Sequence, residues 1–212
     1  MASGMTAKPR KSSAAKLDTR ALIRPGTQIV CAMADFDAAD GYQIRLDEVG
    51  DVIRFSYASC DEEAEELEEL EEFEGTVAVT ASTVAGAAEV MFLSQGSYTP
   101  GESDDSEEPY KHCTPPFLVS RKTLAALKAG ETARLTIYGE TGSLVQDGKE
   151  TTVLKIDGED RQVSVVCARD DDNGMSVKVL DDEAWPLLLS AEFQDDNYIK
   201  LMAIHSPADQ DD

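Results

Sequence analysis

Histidine is almost absent from this chain: His112 and His205 are the only two in 212 residues. Proton transfer near neutral pH leans on that side chain more than on any other, so few acid–base constellations are open to this protein. His112 stands beside Cys113, but thiol–imidazole pairs are assembled in space and adjacent residues rarely bring their side chains into mutual reach. His205 follows the last strand-like run and reads as a surface residue.

Cysteine is sparse as well. Cys31, Cys60, Cys113 and Cys167 are widely spaced and form no CxxC pair, which argues against a zinc ribbon and against a disulfide scaffold. They read as reduced thiols, and Cys31 and Cys167 lie in apolar runs where cysteine behaves as a small hydrophobe. No stretch approaches the roughly 20 consecutive apolar residues that cross a bilayer, and no apolar run follows the basic amino terminus. A cytoplasmic protein without an export signal or membrane contact is expected.

Nucleotide and nucleophile motifs are also missing. There is no GxxxxGK[ST], no GxGxxG after a strand, no GxSxG and no HExxH. Tyr138-Gly139-Glu140-Thr141-Gly142-Ser143 contains glycine but joins two strand-like runs and opens no helix, so it lacks the amide-rich N-terminus that cradles phosphate. Asp170-Asp171-Asp172-Asn173-Gly174 resembles a calcium loop only in composition. Acids do not alternate, counting back from Gly174 puts Arg169 in the first ligand position, and Asn173-Gly174 reads as a hairpin turn. No catalytic residue, cofactor or metal ligand is assigned on this reading.

What the chain has in excess is negative charge: 42 acids against 19 bases, a net charge of −23. It is unevenly placed. Residues 1–24 carry Lys8, Arg10, Lys11, Lys16, Arg20 and Arg24 against one acid, Asp18, so the remainder stands at −28. Such a body repels nucleic-acid phosphate and anionic lipid and attracts basic surfaces. Paired carboxylates have little power to mark an active site in so acidic a chain.

The pattern along the chain predicts a mainly β protein of two small antiparallel domains, each a meander, sandwich or partly open barrel, with one acidic helix and one short helix. Residues 1–21 read as a disordered basic tail, 22–94 as the first β domain, 95–116 as an acidic linker or long loop, 117–206 as the second β domain and 207–212 as a disordered tail. Tyr42, Ile44 and Leu46, then Ile53, Phe55 and Tyr57, alternate with polar neighbours across the Gly50-Asp51 break, which is the mark of a hairpin. Strands are also expected at 28–34, 76–80 and 87–93. Ser120 is an N-cap for a short helix through Leu124 and Leu127, stopped by Gly130. Further strands are expected at 132–138, 151–156, 161–168, 175–180, 187–193 and 197–204, with turns at Asp147-Gly148, Asp157-Gly158, Asn173-Gly174 and Asp195-Asp196-Asn197.

Two places suggest binding. Asp61 to Glu74 holds ten carboxylates, and Ala64, Leu67, Leu70 and Phe73 recur every three residues, a slanting apolar stripe on a helix. Exposed, Leu67, Leu70 and Phe73 suit a groove with an apolar floor and a basic rim. Closed over their own domain, they are core. Asp181-Asp182-Glu183-Ala184-Trp185-Pro186 sets the only tryptophan beside an acidic turn, where Trp185 is either a partner anchor or a plug at the end of a sheet. Three functions are open to such a chain: a non-enzymatic acidic binding or adaptor protein that recruits a basic protein, a DNA mimic that inhibits a nucleic-acid-binding protein, and a hydrolase with carboxylate chemistry.

Overall fold

The computed structural model of the chain describes residues 17–35, 38–60, 63, 67, 73–93, 109–193 and 197–207. It is mainly β, as the alternating pattern requires. After a four-residue helix α1 (Thr19–Leu22), strands β1 (Gln28–Asp35), β2 (Ala38–Val49), β3 (Val52–Cys60) and β4 (Gly75–Thr80) form an antiparallel meander. Ile29, Cys31 and Met33 of β1, Tyr42, Ile44 and Leu46 of β2, and Ile53 and Phe55 of β3 all bury their side chains in the same core. In β3 this is the period of two expected of a strand with one face turned to the core, whereas β1 is buried on both faces, with Val30 and Ala32 buried as well.

The chain then makes helix α2 (Ala81–Gly86), the short strands β5 (Glu89–Val90) and β6 (Cys113–Thr114), helix α3 (Arg121–Lys128), and strands β7 (Ala133–Ile137), β8 (Glu140–Ile156), β9 (Glu159–Arg169), β10 (Ser176–Leu180), β11 (Leu188–Phe193) and β12 (Asn197–His205). Hydrogen bonds link them in the order β4-β3-β2-β1-β12-β11-β10-β9-β8-β7-β5-β6. The expectation of purely antiparallel sheets is corrected here, because β5 runs parallel to both β6 and β7, and β12 runs parallel to β8.

β12 is the seam of the molecule. One edge pairs with β1 from Gln28↔His205 to Ala34↔Tyr198. The other edge pairs with β11 from Ser190↔Lys200 to Phe193↔Asn197, then passes its end and pairs with β8 at Ala203↔Lys155 and Ile204↔Ile156. The last contact closes β8 to β12 into a five-stranded barrel, which removes the unpaired edges of that ring. The sheet therefore shows no break between 22–94 and 117–206, and one hydrophobic cluster takes residues from both. Phe55 meets Phe117 edge-on at 6.1 Å, and Phe92 meets Phe193 at 6.2 Å and Tyr138 at 4.8 Å. A buried amide, that of Leu93, donates to the sulfur of Met33 at 3.3 Å.

Turn chemistry accounts for several corners. Tyr138-Gly139 (φ 50° and 80°) and Asp157-Gly158 (φ 52° and 75°) have both residues at positive φ, the two-residue hairpin turn that matches strand twist. Asp147-Gly148, expected to separate strands, instead lies inside the 17-residue β8, where the register with β9 shifts between Gln146 and Gly148. Gly148 at φ 141° makes this a bulge, and the bulge bends a strand that pairs first with β7 and then with β9. α3 starts and stops as its sequence requires: the Ser120 hydroxyl accepts from the Thr123 amide at 3.2 Å, Leu124 and Leu127 are buried, and Gly130 turns at φ 74°.

Other expectations need correction. The strand expected over 87–93 is the two-residue β5, preceded by α2, whose cap is the Thr80 side chain accepting from Thr83 N. Cys113 to Pro116, assigned to a solvated linker, are buried, and the Tyr110 backbone bonds to Ala78 and Thr80 of β4. His205 is the last residue of β12 and half-buried, not a surface residue beyond it. The helix expected over 61–74 falls mostly outside the described residues, as does Leu70. Of the helices α1 to α3 found among the described residues, none lies in that segment.

Candidate acidic interaction surface

The acidic segment reaches the described part of the chain at its end. There the Arg45 guanidinium lies 4.3 Å from the centre of the Phe73 ring, and its Nε is 2.8 Å from Asp47 Oδ1. Asp47 also accepts from the Ser56 hydroxyl at 2.6 Å. Glu74 donates its amide to Tyr57 O and accepts the Ser59 amide at 3.0 Å. Phe73, expected as a partner contact, is thus half-buried beneath a cation of its own sheet, on the face opposite Tyr42 and Ile44. Leu67 is 37% exposed.

Trp185 is half-buried and packs against the main cluster. The turn before it is built by its own acids. Asp182 Oδ1 accepts the amides of Ala184 at 2.9 Å and Trp185 at 3.1 Å, which fixes the loop between β10 and β11. Asp181 lies between two lysines, 3.0 Å from Lys128 Nζ and 2.6 Å from Lys149 Nζ. Burial pushes its carboxyl up, but the bonds from Lys149 and Lys128 outweigh that and hold it below the usual range. Lys128 bonds Glu183 at 2.8 Å as well, and the two carboxylates, Glu183 first, raise its ammonium above the ordinary value.

Between this loop, the end of α3 and α1 opens a recess of about 550 Å³, lined by Leu17, Asp18, Thr19, Arg20, Lys128 and Asp181 to Ala184. Four of these residues are acids and two are bases. The Glu183 side chain is 82% exposed and, among the described residues, is paired with Lys128, and one of the two oxygens of Asp182 is used within the loop. Of the four residues expected to meet a partner, Trp185 follows Ala184 of the recess wall in the chain, Phe73 and Leu67 do not line the recess, and Leu70 lies outside the described residues.

Asp170 sits in the turn between β9 and β10, where its carboxylate accepts the amides of Ser143 at 2.6 Å and Asp172 at 3.0 Å. The Ser143 bond, partly opposed by burial, and those from Asp172 and Asn173 hold its carboxyl below the usual range. No group of three or more metal-ligating side chains occurs among the described residues. Burial pushes the Cys113 thiol up to about 11 and Cys31 higher still, so neither is a ready thiolate. No helix among the described residues is long and apolar enough to cross a membrane.

No protein-family model, curated protein or solved structure matches this chain. Its fold and its surface chemistry must speak for its function.

Proposed function

We propose that this is a non-enzymatic binding or adaptor protein that recruits a basic protein through its anionic surface. The observation that carries the reading is the surplus of carboxylates in the chain, 42 acids against 19 bases. Seventeen acids fall in residues 22–94 against three bases, Arg24, Arg45 and Arg54. Arg45 and Arg54 are already tied to Asp47 and Glu48 of the same hairpin, so they do little to offset the field toward a partner. Across the rest of the surface Asp51, Glu131, Asp160 and Asp172 are exposed and make no ion pair with a described residue. Carboxylates held apart on strands and turns cost a partner little ordering when it binds, and a field of one sign speeds encounter with the other.

The experiment is capture of partners by the tagged full chain from its native host at low and high ionic strength. Basic proteins that bind at low salt and leave as salt is raised support the reading. Capture that is indifferent to salt, or of acidic proteins, contradicts it.

A further inference from the structure

We propose that the recess between α1, α3 and the β10–β11 loop seats the chain's own basic amino-terminal segment, residues 8–16, in competition with the cations of a partner. The segment leaves from the wall of the recess, because Leu17, the first described residue, lines it. Residues 1–16 hold Lys8, Arg10, Lys11 and Lys16 and no acid, a charge opposite to that of the rest of the chain. Acceptors for such cations line the recess. Asp181 is saturated by two lysines, but Asp182 has one oxygen outside its loop bonds, and Glu183 is largely solvated.

Reach is no obstacle, since nine residues span up to about 30 Å when extended. Tethering makes the encounter intramolecular, at an effective concentration on the order of millimolar, so contacts of modest strength are well populated. Arg20 works against the seating: it lines the same recess and makes no ion pair with a described residue. The competition with a partner rests on the function proposed above, whereas the seating of the segment does not.

The test uses the full chain with Lys8→Gln, Arg10→Gln, Lys11→Gln and Lys16→Gln, titrated with a synthetic peptide of residues 1–16. Binding is read by calorimetry and by the emission of Trp185, which follows Ala184 of the recess wall. The fourfold variant should bind the peptide at least about tenfold more tightly than the native chain, whose recess is already filled. Adding Glu183→Lys should abolish that gain, and adding Arg20→Gln should increase it, a strengthening that misfolding cannot mimic. Equal binding by native chain and fourfold variant, or binding untouched by Glu183→Lys, overturns the proposal. Salt-sensitive capture of a basic partner is measured separately and survives or fails without regard to these results.

Discussion

Phe117→Ala probes the joint on which the surface depends. Phe117 is fully buried, and its ring lies edge-on to that of Phe55 in β3, so it ties the start of the second half to the meander. Truncating a buried phenylalanine costs about 3–5 kcal/mol, which includes the lost ring pair and the cavity that remains. With a urea dependence of about 2 kcal/mol per molar for a chain of this size, the midpoint should fall by about 1.5–2.5 M. Unfolding is followed in parallel by far-UV circular dichroism, which reports all strands, and by Trp185 emission, which reports the β10–β11 end. One sheet through β12 and one core predict that both probes move together and by the same amount. If Trp185 unfolds at its native midpoint while the dichroism splits into two transitions, the halves are independent and the seam at β12 carries no coupling.

Further outcomes follow from single contacts. Gly75→Ala sets a Cβ 2.7 Å from the Tyr57 ring, so it should destabilise by about 1–3 kcal/mol in urea titration, and Tyr57→Leu in the same chain should restore part of that. Ser120→Ala removes the acceptor for the Thr123 amide at the start of α3 and should cost about 1 kcal/mol by the same assay. Asp170, whose carboxyl is held low in the fold, contributes stability that is present above its unfolded pKa and lost as pH falls through the lower folded value. Asp170→Asn should therefore lower the melting temperature at neutral pH and flatten its fall below about pH 4, whereas an unchanged acid limb would show that the Ser143 bond does not matter. With a thiol-reactive dye at neutral pH, half-buried Cys60 and Cys167 should label before buried Cys31 and Cys113, which should react only on unfolding.

Much of this fold is legible in the order of residues where one face of a strand is buried. The hairpin of β2 and β3 announces itself because Tyr42, Ile44, Leu46, Ile53 and Phe55 all need the same side of one sheet. α3 is legible because its cap and its stop are local chemistry. What local pattern does not carry is pairing between distant segments. Nothing in Ala203-Ile204 foretells the parallel contact with β8 that closes the barrel. Asp147-Gly148 has turn composition, and only its partner strand reveals a bulge.

The acidic stretch of sequence that precedes buried Cys113 and Thr114 shows how a solvated composition can continue without warning into core. The recess is the hardest feature to foresee, since it joins residues 17–20, 128 and 181–184. The sequence does pick out Trp185 and the acids before it, but whether the ring faces a partner or the core is decided by neighbours far along the chain. Phe73 is a similar case, because its contact, Arg45, lies in β2, far back along the chain.

The measurement that bears most directly on the anionic-surface account is the affinity of the full chain for its captured basic partner, determined at several salt concentrations between about 50 and 500 mM. Binding free energy that weakens steadily as salt rises, with association slowing more than dissociation quickens, is the predicted result. An affinity that stays constant over that range contradicts the claim that carboxylates on this scaffold recruit the partner.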